Sequence, residues 1–261
     1  MEPLRLVHCT RYVMPLREGG SLPAIVEADD QGMYVMKFHG AGQGPKALVA
    51  EVVGALLGRA LGLPVPELVL VEMDAGIARL EGHDDVRDLL TRSTGLNLGL
   101  DYLPGCITFD PAVPPGLDEE LASRIVWFDS VIANVDRTPR NTNMLWWHRR
   151  AWLIDHGAAL VFQHDWEGAT SRDVRALPPV AAHVLLPRAR SVQRAHDALR
   201  PLVTRALLEE ILAQVPAAWL AGDSPFPDEN SRRAAYVQML LKRADAAGLL
   251  AVEVGHARAR V

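Results

Sequence analysis

Cysteine is almost missing from this chain of 261 residues: the only two, Cys9 and Cys106, lie far apart and fit neither a metal-ligand nor a redox spacing. Two isolated thiols cannot make a disulfide framework, so we expect a reducing compartment, specifically the cytoplasm. Long apolar runs are missing too, because nowhere do about 18 apolar residues follow one another. Since the N-terminus also lacks a basic segment followed by an apolar run, we expect neither a secretory signal nor a membrane span.

An excess of positive charge is also missing. The chain has 27 Lys and Arg against 32 Asp and Glu, a formal net charge of -5, and its basic residues form no long block. Binding to nucleic-acid phosphates normally needs a basic stripe, so the expected partner is a small molecule or a protein and not a nucleic acid. With 49% apolar residues, the chain can bury the core of one large domain or of two tightly joined lobes.

The first part of the chain is rich in predicted strands and contains one long predicted helix. Apolar stretches bounded by Gly, Pro and Asp turns predict strands at residues 4–16, 24–27, 33–38, 66–73 and 96–103. Pro45 directly follows Gly44 and fits the first position of a helix, and Gly62 marks its end, so a helix is predicted over 45–61. A shorter helix is predicted over 84–92.

A proline-rich stretch at 111–115 separates this part from a second, mainly helical one. Asp118 is a suitable N-cap for a helix whose apolar residues follow helical spacing. Short strands are predicted at 143–147 and 151–154, and helices from residue 187 onward. We therefore expect an α+β fold of two lobes. Residues 1–103 form an antiparallel β-sheet lobe with one long helix, and residues 104–261 form a mainly helical lobe.

The stretch 134–143 is unusually rich in Asn, with three of the five Asn residues of the chain, and it leads into a short hairpin that ends at Asp155. Phosphoryl transfer needs one carboxylate to orient the attacking hydroxyl, and an Asn with a second carboxylate to hold Mg²⁺. We assign Asp136 to the first role and Asn141 and Asp155 to the metal. The alternatives are a capped surface turn for Asp136 and Asn141, and a hairpin-end Asp satisfied by backbone amides.

Two charged residues upstream complete the candidate site. Strand alternation places Lys37 on the same face as apolar neighbours, and Glu51 lies beside the apolar stripe of the long helix. The two can pair, which would place the ammonium on nucleotide phosphates. The alternatives are a surface lysine and a helix-edge charge. Gly54 and Gly58 would let this helix approach the sheet closely.

Further residues are candidates for phosphate contact. The turn 17–21 lies between two predicted strands, and Gly19, Gly20 and Ser21 would let its backbone amides approach phosphates. For Arg137 and Arg140 we expect phosphate contact, with a solvated surface position as the alternative.

The pattern Asn-x-Asp-x-x-x-x-Asn, followed by an Asp at the end of the next hairpin, resembles the HipA-like kinases, particularly the short bacterial members. It is carried here by Asn134, Asp136, Asn141 and Asp155. The resemblance extends over residues 10 to 165 and implies a bilobal protein-kinase-like fold. By this resemblance Asp136, Asn141 and Asp155 are the catalytic residues, and Asn141 and Asp155 hold the metal.

The same resemblance assigns a nucleotide-binding role to residues of the first lobe. Lys37 corresponds to the lysine on the third strand and Glu51 to its helix partner. Asp101, Tyr102 and Leu103 resemble the hinge that holds adenine. ATP and Mg²⁺ are therefore the implied cofactors.

The activity implied is that of an ATP- and Mg²⁺-dependent kinase that phosphorylates a hydroxyl acceptor, with Ser or Thr of a protein expected first. A small-molecule or lipid-headgroup kinase, a nucleotide-binding pseudokinase or scaffold, and an unrelated protein are the alternatives. His156 stands where many kinases have Phe after the magnesium Asp. A toxin role is not implied, because the toxin members carry an additional N-terminal subdomain.

Overall fold

The computed structural model describes residues 1–16, 22–42, 44–79, 81–112, 117–171, 180–222, 224–250 and 254. The predicted glycine turn at 17–21, with Gly19, Gly20 and Ser21, lies outside these residues.

The described strands of the first part form a closed barrel in the order β1-β2-β3-β5-β4. They are β1 (Arg5–Pro15), β2 (Ala24–Ala28), β3 (Met33–Lys37), β4 (Leu68–Met73) and β5 (Gly95–Asp101). Neighbours pair antiparallel, as predicted, except β1 and β4, which pair in parallel and close the barrel. The sequence pattern did not indicate this pairing, because alternation shows which face is buried but not the direction of the partner strand.

The two faces of strand β3 have different surroundings. Tyr34 and Met36 point into the barrel interior. Lys37 lies on the opposite face, where its register partner Leu98 belongs to the larger core. This face is covered by helix α1 (Pro45–Ala60). Lys37 therefore points toward α1 and not into the barrel.

Helix α1 is buried along almost its whole length, from Leu48 to Gly58. It begins at Pro45, as predicted, and its close packing depends on two glycines. A Cβ at Gly54 would lie 2.8 Å from Cβ of His156, and one at Gly58 would lie 3.0 Å from Val65 and 3.3 Å from Phe128. The glycines were expected to admit the sheet. They instead admit His156 and Phe128 of the second part of the chain, together with Val65.

The described chain has a second, small sheet of order β6-β7-β8, formed by β6 (Ile107–Thr108), β7 (Met144–Trp147) and β8 (Arg150–Leu153). His148 and Arg149 form the tight turn between β7 and β8, both with positive φ of 47° and 61°. A two-residue turn of this kind matches the twist of antiparallel strands. The hairpin therefore delivers Asp155, two residues beyond β8, to a defined position.

Helix α4 (Glu119–Val131) precedes the loop that carries Asp136. It is capped by Asp118, whose side chain accepts a hydrogen bond from the Leu121 amide at 2.6 Å, as the sequence indicated. Apolar residues of α4 and α1 belong to one core cluster, which continues into the C-terminal helices. The division at residue 103 stays a prediction.

Two short helices of the first part are α2 (Ala75–Arg79) and α3 (Asp84–Arg92). From residue 161 onward the described chain is mainly helical. Its α-helices are α5 (Trp166–Ser171), α6 (Val192–Leu199), α7 (Arg205–Ala213), α8 (Ala217–Leu220) and α9 (Glu229–Ala246). Short 3-10 helices lie at Val161–His164, Val180–Ala182, Arg200–Leu202 and Ala247–Leu249. The sequence did not predict α2 and β6, which are too short to show a periodic pattern. Within the described part of the chain, no helix has the length and apolar character needed to cross a bilayer.

Candidate active site

Lys37, at the end of β3, contacts two carboxylates from different parts of the chain. Its ammonium forms a salt bridge with Oε1 of Glu51 on α1 and lies 2.6 Å from Oδ1 of Asp155. The side chains of Lys37 and Glu51 are only 11% and 1% exposed, whereas that of Asp155 is 44% exposed. Lys37 is therefore not a surface lysine. It is held at the boundary between the barrel and the hairpin that precedes Asp155.

The charges of this pair stabilise one another against burial. Burial by itself would lower the pKa of Lys37, but the carboxylates of Glu51 and Asp155 outweigh it and raise the pKa above its ordinary value. Burial would likewise raise the pKa of Glu51, but the Lys37 ammonium and His156 hold it well below its ordinary value. Both groups are therefore charged near neutral pH.

The turn after β8 holds Glu51 from the other side. The Gly157 amide donates to Oε1 of Glu51 at 2.9 Å, and Nδ1 of His156 lies 3.8 Å from Oε2. The His156 ring is fully buried and packs edge-on against Phe128, with 5.8 Å between ring centroids. The His156 ring therefore packs as an aromatic side chain does, and neither of its ring nitrogens has a hydrogen-bond partner among the described residues.

Asp155 has an unusual backbone conformation. Its φ of +55° lies in the left-handed region, which a residue with a Cβ adopts at a cost of about 1 kcal/mol or more. This conformation turns the carboxylate toward Lys37. The second carboxylate oxygen, Oδ2, has no hydrogen bond within the described residues, and the side chain is partly open to solvent.

Asp136 is held by three Asn residues of its own loop. Its Oδ2 accepts hydrogen bonds from Nδ2 of Asn141 at 2.7 Å and from Nδ2 of Asn143 at 3.1 Å. Its backbone amide donates to Oδ1 of Asn134 at 3.1 Å. The sequence did not identify Asn143 as a site residue, although the clustering of Asn in this stretch was the available signal.

A buried carboxylate on α4, Asp129, lies beneath this loop. It accepts hydrogen bonds from Nε of Arg137 at 2.6 Å, Nδ2 of Asn134 at 2.9 Å and Nε2 of His183 at 2.9 Å. Burial would raise the pKa of Asp129, but Arg137 and His183 hold it well below its ordinary value. The expectation that Arg137 contacts phosphate is wrong, because its guanidinium is fully buried and paired with Asp129. Arg140 is exposed.

Asn143 connects the Asp136 loop to the Asp155 turn. Its backbone carbonyl accepts a hydrogen bond from the Ile154 amide at 3.0 Å, directly before Asp155. Its side chain donates to Asp136. Asp136 and Asp155 are therefore linked through Asn143 and Ile154, although they lie on different loops.

A family model described as HipA-like kinase matches residues 10–249. The chain belongs to the HipA-like kinase family. Membership makes it a phosphotransferase that uses a nucleotide. The match extends well beyond the resemblance at 10–165, so the C-terminal helices up to residue 249 belong to the family domain.

Solved structures that are similar to this HipA-like kinase include kinases. The Helicobacter pylori proinflammatory kinase CtkA has a TM-score of 0.58 at 12% identity, over 96% of this chain and 98% of that one. The Golgi casein kinase has a TM-score of 0.46 at 12% identity, over 97% and 73%. Its form with Mn/ADP bound gives 0.46 at 11% identity, over 95% and 73%. The first confirms the protein-kinase-like fold. A sequence search among curated proteins finds no match.

The residues that the family resemblance assigned to the hinge, Asp101, Tyr102 and Leu103, lie at the end of β5 and directly after it. The amides of Asp101 and Tyr102 donate to the carbonyls of Glu67 and Met33 at 2.8 and 3.0 Å, so both are used within the protein. Leu103 is buried, and its amide makes no hydrogen bond within the described residues. Nε1 of Trp147 donates to the Pro104 carbonyl at 2.9 Å, so β7 supports this segment.

The donor set of the HipA-like kinase fits a hard divalent cation shared with phosphates. The carboxylate of Asp155 and the carboxamide oxygen of Asn141 are both oxygen ligands, and both side chains reach solvent. In the described chain, no group of three or more His, Cys, Asp or Glu side chains is arranged to hold a metal ion without phosphate ligands. Mg²⁺ is typically held by one or two protein carboxylates together with substrate phosphates, so two protein ligands suffice.

Proposed function

We propose that this HipA-like kinase transfers the γ-phosphoryl group of ATP, in a Mg²⁺-dependent reaction, to a hydroxyl group, with Ser or Thr of a protein as acceptor. The observation that carries the proposal is the buried Lys37 ammonium held between Glu51 and Asp155. A lysine held by a helix carboxylate, beside a metal-binding Asp, is the arrangement by which kinases bind nucleotide phosphates.

Nucleotide binding is assigned to residues around this lysine. Lys37 contacts the phosphates and Glu51 orients it, since Glu51 is itself held by the Gly157 amide. Asp101, Tyr102 and Leu103 form the adenine-binding hinge, and the Leu103 amide is the donor left available for the base. Phosphate contact by Gly19, Gly20 and Ser21 stays a prediction from the sequence, because these residues lie outside the described chain.

The metal ligands proposed are Asn141 and Asp155. These two side chains would hold Mg²⁺, which would supply positive charge against the negative charge that develops on the phosphates during transfer. Binding would compete with the contacts these side chains make without ligand. Asn141 would rotate its amide away from Asp136 or share it, and Asp155 would offer its second oxygen while the first stays near Lys37.

Asp136 is assigned to the acceptor. Its carboxylate accepts a hydrogen bond from the acceptor hydroxyl and takes that proton as the new bond between the hydroxyl oxygen and the γ-phosphorus forms. The bond between the γ-phosphorus and the β,γ-bridging oxygen breaks, and ADP leaves with that electron pair. The two amide donors on Oδ2 leave Oδ1 as the oxygen that faces the acceptor.

The acceptor class rests on the family resemblance alone. A small molecule or a lipid headgroup carries the same hydroxyl chemistry, because one fold serves several acceptors. The cytoplasmic location inferred from the cysteine content stays a prediction.

The proposal is tested by incubating the purified chain with ATP labelled at the γ-phosphate, Mg²⁺ and an extract of the source cell. We expect label in protein that yields phosphoserine or phosphothreonine on acid hydrolysis, and none with an Asp136→Asn control. Label in a small molecule or in a lipid would show that the acceptor is that molecule and not Ser or Thr of a protein. Magnesium-dependent ATP binding without any transfer or hydrolysis would favour a pseudokinase, and no ATP binding would overturn the proposal.

A further inference from the structure

The carboxylate of Asp129 is the centre of a buried polar network beneath the catalytic loop. It accepts hydrogen bonds from Nε of Arg137, Nδ2 of Asn134 and Nε2 of His183 at distances of 2.6 to 2.9 Å. Its side chain is 1% exposed. A buried carboxylate costs several kcal/mol unless it is paired and hydrogen-bonded, on the order of the whole stability of a small domain. Here the cost is met by one cation and two neutral donors.

The first connection from Asp129 to Asp136 runs through Asn134. Oδ1 of Asp129 accepts from Nδ2 of Asn134 at 2.9 Å, which fixes the orientation of that amide group. Oδ1 of Asn134 therefore faces the backbone amide of Asp136 and accepts from it at 3.1 Å. The backbone of Asp136 is thus held by a group whose orientation Asp129 sets.

The second connection runs through Arg137 and Asn143. Arg137 donates from Nε to Asp129 and from Nη1 to the backbone carbonyl of Asn143. Asn143 in turn donates from Nδ2 to Oδ2 of Asp136 at 3.1 Å. The carboxylate of Asp136 is therefore held by a residue whose backbone is positioned by the guanidinium that Asp129 binds.

His183 closes the network from a distant segment. Its Nδ1 lies 3.0 Å from the Leu185 amide, which is a donor, so Nδ1 accepts and Nε2 carries the proton donated to Asp129. The neighbouring Val184 amide donates to the Arg137 carbonyl at 3.1 Å. The chain around residue 184 is thereby attached to the catalytic loop.

We infer that Asp129 is a positioning residue for Asp136: it orients the catalytic carboxylate through Asn134 and through Arg137 with Asn143. The inference rests on the proposed function, in which Asp136 receives the acceptor proton. Asp129 is too deeply buried to touch substrate, so its effect falls on turnover and not on nucleotide binding.

The test compares the turnover and the Mg²⁺-ATP affinity of Asp129→Asn with those of wild type and of Asp136→Asn. The folded fraction of each protein is measured as well, and activity is expressed per folded molecule. Asn is isosteric but carries no charge and offers an amide to Asn134 or Arg137 in place of an oxygen. We expect kcat to fall by about 10- to 100-fold, as for other supports of a reacting group, while the Kd for Mg²⁺-ATP stays within about threefold. Ser130→Ala, at the next position of α4, is the matched control and should keep wild-type kcat.

Two results would overturn the inference. One is wild-type kcat in folded Asp129→Asn. The other is a loss of nucleotide affinity equal to the loss of kcat, which marks a general structural defect. If Asp136→Asn keeps full turnover, the proposed function fails in its catalytic assignment. If Asp136→Asn is inactive and Asp129→Asn is fully active, only the positioning role fails.

A second comparison covers the case in which Asp129→Asn does not fold. His183→Ala removes one donor from Asp129, whereas His183→Gln keeps an N–H for it. We expect His183→Ala to lower kcat with unchanged Mg²⁺-ATP affinity, and His183→Gln to restore part of the loss. Equal kcat in the two variants and wild type would contradict the inference.

Discussion

Nζ of Lys37 lies 2.6 Å from Oδ1 of Asp155, 118 positions further along the chain, while the same ammonium is paired with Glu51. The lysine therefore joins the barrel, helix α1 and the turn after β8. This one contact brings together the residues proposed for phosphate binding and for metal binding.

Exchanging Lys37 separates its role in activity from its role in stability. We expect Lys37→Met to lower kcat/KM for ATP by about 100- to 1000-fold, because an electrostatic contact to the transferred group is lost. The variant should also lose about 3 kcal/mol of stability, because Glu51 is left buried without a cation. Kinetics and urea unfolding measure the two effects, with Lys242→Met on α9 as the control.

The double variant Lys37→Met, Glu51→Gln sharpens this prediction. Its activity should match that of Lys37→Met alone, because Glu51 then has nothing left to orient. Part of the lost stability should return, because the unpaired charge is gone. Fully additive losses of activity would contradict the pairing.

Exchanging the catalytic carboxylate Asp136 and exchanging the metal-site carboxylate Asp155 should have different effects. Asp136→Asn should keep its affinity for Mg²⁺-ATP within a few-fold and lose about 100- to 10,000-fold in kcat, because the base for the acceptor hydroxyl is removed. Asp155→Asn should weaken the magnesium-dependent part of nucleotide binding. Calorimetry with and without Mg²⁺ tests both. If Asp155→Asn keeps the full magnesium dependence, Asp155 is not a metal ligand.

Acid should destabilise the protein through Glu51 and Asp129. Both carboxylates have a folded-state pKa well below the ordinary values of 4.5 and 3.8. The unfolded chain therefore binds protons first as the pH falls, so the stabilisation is complete above about pH 5 and is lost progressively below it.

Unfolding in urea at a series of pH values measures this effect. Glu51→Gln and Asp129→Asn should each show a shallower loss of stability between about pH 5 and pH 3 than wild type, because one titrating group is removed. An acid slope identical to that of wild type in both variants would show that neither carboxylate is responsible.

Gly54→Ala should disturb the contact between α1 and the Asp155 turn. The added Cβ would lie 2.8 Å from Cβ of His156, which is closer than Cβ atoms approach in proteins, and His156 is fully buried. We expect a loss of about 1–3 kcal/mol, as is usual for overpacking, with a decrease in ATP affinity as Glu51 shifts. Gly76→Ala on α2 is the control, since a Cβ there meets no atom within 4 Å. Equal stability of the two variants would refute the close packing.

Much of the fold followed from local patterns. Alternation in residues 33–38 placed Lys37 on one face of β3, as the structure has it, and helical spacing placed Glu51 beside the apolar stripe of α1, where the structure shows it buried. Pro45 and Asp118 correctly marked the starts of α1 and α4. Such features depend on neighbours a few positions away, so the sequence indicates them directly.

The sequence did not predict which distant residues these elements contact. Gly54 was expected to face the sheet and faces His156, and Arg137 was expected at phosphate and is paired with Asp129. The parallel pairing of β1 with β4 also had no signal in the pattern. Each contact depends on which distant segments of the chain pack against one another, and the periodicity of the sequence does not indicate this packing.

The sequence by itself determined most elements of the fold and the face of β3 on which Lys37 lies, because each follows from spacing along one strand or helix. The site set of Asp136, Asn141 and Asp155 was predicted from the sequence and stays a prediction. Only the tertiary structure decided that Asp155 meets Lys37 and that Asp129 meets His183, 54 positions away. Buried charges need partners at hydrogen-bonding distance, and several candidate donors lie along the chain. The packing of α4 against the segment around residue 184 selects among them.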